Sequence, residues 1–469
     1  MKIQFKIAIA LAAALAFAAG AVALVFLVLM PWHFNPAPPE KFYPKPVTAL
    51  DAQRQDLDYF RKLTRLDRSY SASARAEVER SISALERSNV VLPRPQFRIA
   101  LMELVALADN GHTHLGYNPG AEPMELPVRI KTFSDGIYIM RASHANSDLL
   151  GGRVVAIDGH PIGAVMGLLE RLHGGTTAWR ELYAEMYLCW QDALVGVGVS
   201  PNMRGSNWTV ATRSGAIVTR ALTPYAPKPD EPFGFPIRWY SSEPVMGMTK
   251  SWDVYEPQHG LAFSLRDFES PFRRFRLENL CSLYVQFKSN TDEGENHIAD
   301  FIAATERDMR ANPPCNLILD LRFNTGGDYT NTWSFAHKLP GMVAGGGRIV
   351  MLTSASTFSA GLTTVAFVKE AAADRVVILG EPVGDRMAFF SEGFRGCLPN
   401  FPLCLSYRTG KHDYAHSCSD LDICYWLNYI FPVRVKMLKP DETITTSFAD
   451  WNAGRDPVLE RALQLARRR

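Results

Sequence analysis

Three polar loops in the second half of the chain carry residues suited to acyl transfer. The first, DLRFNTGG, contains Gly326 and Gly327, whose amides can approach a developing oxyanion, although paired glycines also suit an ordinary tight turn. The second, SASTFSAG, places Ser359 before Ala360 and an apolar helical run, where a serine can act as a nucleophile or simply cap the helix. The third, GEPVGD, follows the apolar run RVVIL.

A histidine motif, NGHTHL, lies far upstream of these loops. It contains His112 and His114. An imidazole with an ordinary pKa near 6.5 can accept the proton of a serine at neutral pH, so we predict His112 as the general base, with His114 as the lesser candidate. Alternate histidines also bind metals in amidohydrolases, and a metal-dependent amidohydrolase is therefore an alternative. The further ligands at barrel-strand ends that such enzymes need are not evident in this sequence.

Apolar strand-like runs and helix-like runs alternate from about residue 281 to residue 469. This alternation predicts βαβ units and an α/β domain. In such a domain the carboxyl ends of parallel strands meet at one edge of the sheet, and chemistry gathers there. The three loops are therefore expected to lie together.

The loops DLRFNTGG, LTSASTFSAG and LGEPVGD occur in this order on successive β-α units, and the chain closes on GRDPVLERAL. This combination resembles the core of the tail-specific, or C-terminal-processing, proteases over residues 281–465, and more weakly over 95–165. The resemblance implies a crotonase-like α/β core at 281–469. It also implies Ser359 as nucleophile, an oxyanion held by the amides of Ala360 and the Gly326-Gly327 loop, a peptide or protein substrate, and no cofactor.

The chain departs from that family in the residues that serve the nucleophile. Members with a Ser-Lys dyad carry the lysine directly after the glycine of the third loop, and here that place is taken by Asp385. GHTHL instead resembles the upstream motif of the tricorn branch, with His112 at the position of its base and Gly111 in place of a serine. A catalytically inactive binding protein on the same fold is a second alternative. The residue that orients His112 is left open among Glu392, Asp413, Asp420 and Asp422.

The first half of the chain divides into five parts. Residues 7–30 are apolar and follow Lys2 and Lys6, which predicts an uncleaved transmembrane anchor with the body in the periplasm or outside the cell; secretion after signal cleavage is the alternative. The proline-rich segment 31–47 predicts an extended spacer. Helical spacing predicts a helical region at 48–118, and short β-rich runs at 119–175 resemble part of a PDZ domain. Residues 176–280 are predicted only as an uncertain β-rich region.

Four cysteines fall within one short segment and predict one or two disulfides in an oxidising compartment: Cys397, Cys404, Cys418 and Cys424. Their spacing does not match zinc-binding knuckles, and no metal site is predicted. Fifty basic and forty-eight acidic residues, with no long basic run, argue against a nucleic-acid partner. The sequence carries no signal for an oligomeric state.

Overall fold

The computed structural model describes residues 17, 20, 24, 28–118, 123–228, 231, 235–245, 247–248 and 251–467. No helix within these residues is long and apolar enough to cross a membrane. The predicted span at residues 7–30 lies almost wholly outside the described residues.

Four helices open the described chain. Thr48 begins the second of them with a capping box, because its hydroxyl accepts from the amide of Asp51 while the Asp51 carboxylate accepts from the amide of Thr48. The helices are α1 (Met30–Phe34), α2 (Ala49–Leu66), α3 (Ala72–Arg87) and α4 (Arg94–Ala106). Helices α2 to α4 occupy the segment for which helical spacing predicts helices.

A second region follows, with an antiparallel sheet covered by helices. The strands of this region are β1 (His114–Tyr117), which belongs to a separate small sheet, and β2 (Val128–Phe133), β3 (Gly136–Ser143), β4 (Arg153–Ile157), β5 (His160–Pro161), β6 (Ser206–Ala211), β7 (Ile217–Leu222) and β8 (Trp252–Val254). The sheet has the order β2-β3-β4-β6-β7, β5 pairs with β4, and β8 pairs with β3. The helices are α5 (Ile162–Leu169), α6 (Thr177–Leu188) and α7 (Gln191–Gly196). The prediction of an uncertain β-rich region from residue 176 is therefore wrong at its start, where α6 and α7 lie.

The last region is the α/β core. Its elements are β9 (Phe272–Leu277), β10 (Ser282–Phe287), α8 (Ile298–Ala311), β11 (Asn316–Asp320), α9 (Thr330–Met342), β12 (Ile349–Thr353), α10 (Ala360–Ala372), β13 (Val376–Gly380), β14 (Ala388–Cys397), β15 (Leu403–Asp413), β16 (Glu442–Thr443), α11 (Phe448–Asn452) and α12 (Pro457–Arg467). One sheet has the order β16-β13-β12-β11-β10-β9, parallel from β10 to β16. The predicted α/β fold is confirmed.

Both faces of this parallel sheet are buried, which is why its strands read as continuous apolar runs. Alternate strand residues such as Leu319 and Met351 pack beneath α8, α9 and α10. Their neighbours, including Ile318 and Val350, pack beneath α12. The sheet is thus held rigid between two helical layers, and its carboxyl edge can position loops accurately.

A small three-stranded sheet pairs a strand from the first half of the chain with two strands near its C-terminal end. Strand β1, directly after the histidine motif, pairs antiparallel with β15, which also pairs with β14. In this register His114 lies opposite Ser406. The pairing carries the upstream histidine loop to the α/β core.

The proline-rich segment 31–47 is docked on the body and does not form the free spacer that its composition predicts. Phe34 is fully buried. On β15, the Thr409 hydroxyl donates to the carbonyl oxygen of Phe34, and the Tyr407 hydroxyl donates to that of Pro36. These contacts hold the segment against the small sheet.

Three disulfides join cysteines along the chain. Cys397–Cys404 and Cys418–Cys424 confirm the prediction for the clustered cysteines. Cys281–Cys315, which the sequence did not predict, joins the starts of the neighbouring strands β10 and β11. Cys189 is free and buried.

Candidate active site

Ser359 lies where β12 gives way to α10, at the carboxyl edge of the core sheet. Its backbone has φ 52° and ψ −124°, a conformation that is costly for a residue other than glycine. Its side chain forms no capping hydrogen bond with α10. Ser359 is half-buried, and its hydroxyl has no hydrogen-bond partner among the described residues. The geometry therefore does not support the alternative in which Ser359 is a helix cap.

The two rival serines of the same loop are less available. The Ser354 hydroxyl donates to the carbonyl oxygen of Arg322 and accepts from the amide of Ser356. Ser356 itself is only 4% exposed. Of the three serines, Ser359 is therefore the one that combines a strained backbone, partial exposure to solvent and a hydroxyl without a hydrogen bond to the described residues.

The glycine loop after β11 lies against Ser359. A Cβ built on Gly326 would lie 3.1 Å from Ser359 Oγ, and the φ of Gly326 is +121°, so a side chain there would meet both a clash and backbone strain. The Gly326 amide donates to Asn324 Oδ1 at 3.0 Å. The amides of Gly327 and Ala360 have no hydrogen-bond acceptor among the described residues. The resemblance implies an oxyanion site at the amides of Ala360, Gly326 and Gly327, and of these only the Gly326 amide donates to a described residue.

Two buried asparagines hold this loop beside the helix start. Asn324 Nδ2 donates to Asn290 Oδ1 at 2.7 Å, and Asn290 Nδ2 donates to the carbonyl oxygen of Ala360 at 3.3 Å. The backbone N–H of Asn290 also donates to the carbonyl oxygen of Gly326 at 2.8 Å. The sequence analysis missed Asn290, although its place just after β10, at the same sheet edge, was a usable signal.

His112 is hydrogen-bonded to a carboxylate. Its Nε2 lies 2.9 Å from Asp385 Oδ2, and the side chains of His112 and Asp385 are 11% and 3% exposed. Asp385 stands where the Ser-Lys branch of the family has its lysine. The chain thus replaces a base at this place by a carboxylate that contacts the upstream imidazole.

The imidazole of His112 lies between two phenyl rings. Its centroid is 4.4 Å from that of Phe358, the residue before Ser359, and 5.2 Å from that of Phe389, with which it stacks at 13°. A Cβ on Gly111 would come within 2.8 Å of the Phe358 ring. A side chain at position 111 would therefore displace the Phe358 ring.

The backbone of the histidine loop is fixed from the other side. Arg408 Nε on β15 donates to the carbonyl oxygen of His112 at 2.8 Å. Asp67 Oδ2 accepts from the Thr113 hydroxyl at 2.9 Å and from the amide of Arg408 at 3.0 Å. Burial raises the pKa of Asp67 and lowers that of Arg408. The histidine is therefore placed by residues that lie far from it in sequence.

Helix α6 also reaches this site, which the sequence analysis did not predict. Trp179 stacks on Phe358 with centroids 3.7 Å apart, and its Nε1 donates to the carbonyl oxygen of Gly111 at 3.2 Å. Thr176, which caps α6, donates its hydroxyl to the carbonyl oxygen of Gly384 at 2.8 Å. Helical spacing of apolar residues in TAWRELYAEMYL, together with Thr176 as a capping residue, was an available signal.

The other residues considered for this site are engaged elsewhere. The orienting candidates bond to other groups: Glu392 to His412, Asp413 to Lys411 and His416, Asp420 to the amide of Asp422, and Asp422 to His33. His114 Nδ1 lies 3.1 Å from the carbonyl oxygen of His112, and burial lowers the pKa of His114 to about 3. No group of three His, Cys, Asp or Glu side chains within the described ranges could hold a metal ion.

No family model and no curated protein matches the chain. Among solved structures, mature CPAF in complex with lactacystin is similar with a TM-score of 0.59 and 13% identity, over 89% of this chain and 98% of that chain. A serine-to-alanine variant of CPAF gives 0.59 and 13%, over 89% and 97%. The chain has the fold of CPAF.

A further similar structure is the photosystem II D1 C-terminal processing protease, with a TM-score of 0.37 and 12% identity over 88% of this chain and 99% of that chain. That score is too low to carry an argument. The likeness to CPAF extends along nearly the whole of both chains.

Proposed function

We propose that the chain is a serine peptidase in which Ser359 attacks the scissile carbonyl carbon and forms an acyl-enzyme. The observation that carries this proposal is the strained, uncapped serine at the start of α10, directly after Phe358, whose ring contacts the imidazole of the His112–Asp385 pair. A nucleophile, a base and an orienting acid are the three parts that serine-dependent acyl transfer needs.

In the proposed reaction His112 accepts the proton of Ser359 and later gives it to the leaving amine. Asp385 holds the ring and stabilises the imidazolium that forms during proton transfer. The stacking of His112 on Phe389 supports this role, because it restricts rotation of the ring without using either nitrogen.

The oxyanion of the tetrahedral intermediate is proposed to bind at the free amides of Ala360 and Gly327. Both belong to the segments that flank the Ser359 side chain, and the start of α10 adds the favourable end of a helix dipole. The amide of Gly326 has a structural part instead, since it donates to Asn324.

Three measurements on Ser359→Ala test the proposal. Turnover of a denatured protein substrate should fall by about three orders of magnitude or more, and labelling by a fluorophosphonate probe should disappear. Stability should change by less than about 1 kcal/mol, because no cap is lost. Ser356→Ala removes the rival hydroxyl and should still be labelled by the probe. A Ser359→Ala protein that is still labelled and active would refute the assignment.

The same probe separates the peptidase from an inactive binding protein. A folded wild-type chain that is neither labelled nor active, while it still binds peptides, would favour the binding protein. The free hydroxyl of Ser359 and the engaged His112 favour the peptidase.

We further propose that the body works in the periplasm or outside the cell, tethered by residues 7–30. The support is the apolar run that follows two lysines and the three disulfides, which form in oxidising compartments. Membrane fractionation and N-terminal sequencing of the native protein test the tether. A native protein that begins after residue 16 and washes off membranes would establish the cleaved alternative.

A further inference from the structure

A cavity of about 450 Å³ opens beside the nucleophile loop. One wall is Ser354, Ala355 and Ser356, and the opposite walls come from β2, from α6 and from the segment Glu381 to Val383. A volume of this size lies in the range of binding sites for small ligands, about 300 to 1,000 Å³. The cavity borders three of the segments that build the candidate active site, so a bound peptide chain can reach it.

The charges that line the cavity are mostly negative. Glu185 is paired, because Lys131 Nζ lies 2.7 Å from both of its carboxylate oxygens. Glu381 and Glu181 also line the cavity, and neither forms an ion pair within the described part of the chain. Glu381 is half-buried in the wall, and Glu181 is exposed at the rim. The cavity therefore has two carboxylates without a cationic partner.

The surroundings of these carboxylates penalise their charge. The pKa of Glu381 is raised, mainly by burial and further by Glu185, although the charge of Lys131 and a hydrogen bond from the Ala355 backbone act in the opposite direction. The pKa of Glu181 is raised by burial and then by neighbouring carboxylates, which include Glu185 and Glu381. A cation placed between them would relieve that cost.

Apolar walls complete the cavity. Leu182, Pro382 and Val383 supply apolar surface. An alkyl chain that ends in a cationic donor matches this lining, because its methylenes pack while its head group pairs.

We propose that this cavity is the substrate subsite that selects a lysine or arginine side chain, with Glu381 as the main counter-charge and Glu181 at the entrance. The proposal rests on the proposed peptidase function and specifies its substrate class as peptides with a basic residue at one fixed position from the scissile bond. Glu381 acts here as a specificity residue and takes no part in proton transfer.

Cleavage-site profiling tests the specificity. A denatured proteome is first cut after aspartate and glutamate, which leaves lysine and arginine inside the peptides, and is then incubated with the full chain. Mass spectrometry of the new termini should find lysine and arginine enriched at a single position. Efficient cleavage with no basic preference at any position would overturn the subsite and leave the peptidase intact.

A matched peptide pair tests the residue. For the best cleaved sequence, kcat/KM should be about tenfold higher with lysine than with norleucine at that position, the size expected for a partly buried ion pair. Glu381→Gln should bring this ratio close to one, and Glu181→Gln, at the exposed rim, should lower it partly. Glu170→Gln removes a nearby charge outside the cavity and should keep the ratio. An unchanged ratio in Glu381→Gln would refute the assignment, and Glu181→Gln provides the same test if Glu381→Gln does not fold.

A binding measurement keeps the subsite testable without catalysis. Benzamidine, a rigid monocation, should bind the Ser359→Ala protein in calorimetry, and Glu381→Gln should weaken it at least about fivefold while Glu170→Gln does not. Absence of binding, or equal binding by the Glu381 variant, would reject the cationic subsite. If benzamidine binds in this pattern but no peptide is cleaved, the proposed peptidase function fails and the cation site stands.

Discussion

Asp385→Asn gives the sharpest test of the proposed chemistry. The substitution keeps the size of the side chain and leaves an oxygen that can accept from His112, so it mainly removes one negative charge. In the wild-type protein that charge lies 2.9 Å from His112 Nε2, and the two side chains are only 3% and 11% exposed. Solvent therefore screens the interaction weakly.

The magnitude follows from Coulomb's law. An imidazolium and a carboxylate with charge centres about 4 Å apart interact by about 4 kcal/mol at an effective dielectric constant of about 20. This stabilisation exists only when His112 is protonated, which in the proposed mechanism happens as Ser359 reacts. Each 1.36 kcal/mol is a factor of ten in rate, so Asp385→Asn should slow the reaction by about a thousandfold.

The assay is the second-order rate of labelling by a fluorophosphonate, which needs no knowledge of the natural substrate, followed by peptide turnover. Thermal unfolding should establish that the variant is folded. Asp413→Asn is the matched control, because Asp413 was a candidate for the same role but pairs with Lys411 at 3.4 Å; it should stay within about threefold of wild type. If Asp385→Asn stays within about tenfold of wild type while Asp413→Asn loses activity, Asp385 does not orient the base.

Three further predictions concern the scaffold. Trp179→Ala should destabilise the protein by about 3 to 5 kcal/mol and lower its activity, because Trp179 packs on Phe358, the residue before Ser359. Trp179→Phe should keep most of the stability and most of the activity. Equal activity in the two variants would show that α6 does not support the active site. Loss of the Cys281–Cys315 disulfide by double substitution with serine should cost about 4 kcal/mol in chemical denaturation, as expected for closing a loop of 34 residues. Burial raises the pKa of Asp56 to about 6, so its contribution to stability is fully present below pH 4 and is lost as the pH rises through about 6. The free energy of unfolding of Asp56→Asn should therefore rise by about 3 kcal/mol relative to that of wild type between pH 4 and pH 7. A difference between the two proteins that does not change with pH would contradict this.

The α/β core was predictable because its physical signal is local. Strands buried on both faces must be apolar throughout, and the loops after them are short and polar, so the segments around Ser359 and Gly326 stand out in the printed sequence. Disulfides among the clustered cysteines were predictable for the same reason, but which cysteines pair was not.

The orienting residue was not predictable, because nothing near Asp385 in sequence records that His112 will lie beside it. Their contact depends on the pairing of β1 with β15, which is a property of the whole fold. The proline-rich segment misled in another way: composition indicates an extended spacer, but it does not say that the segment begins in helix α1 or that Phe34 is buried against β15. Cys281 and Cys315 become neighbours only once β10 and β11 are paired.

The contact between His112 and Asp385 joins positions 273 residues apart, and this separation has a consequence for biosynthesis. At about 5 to 20 residues per second, a growing chain that has already exposed its histidine loop waits about 15 to 55 s before the partner carboxylate is made. Ser359 is also made late in that interval. Contacts between distant positions form slowly, because the intervening chain must first be ordered. The proposed active site is therefore assembled only when folding of the chain is nearly finished.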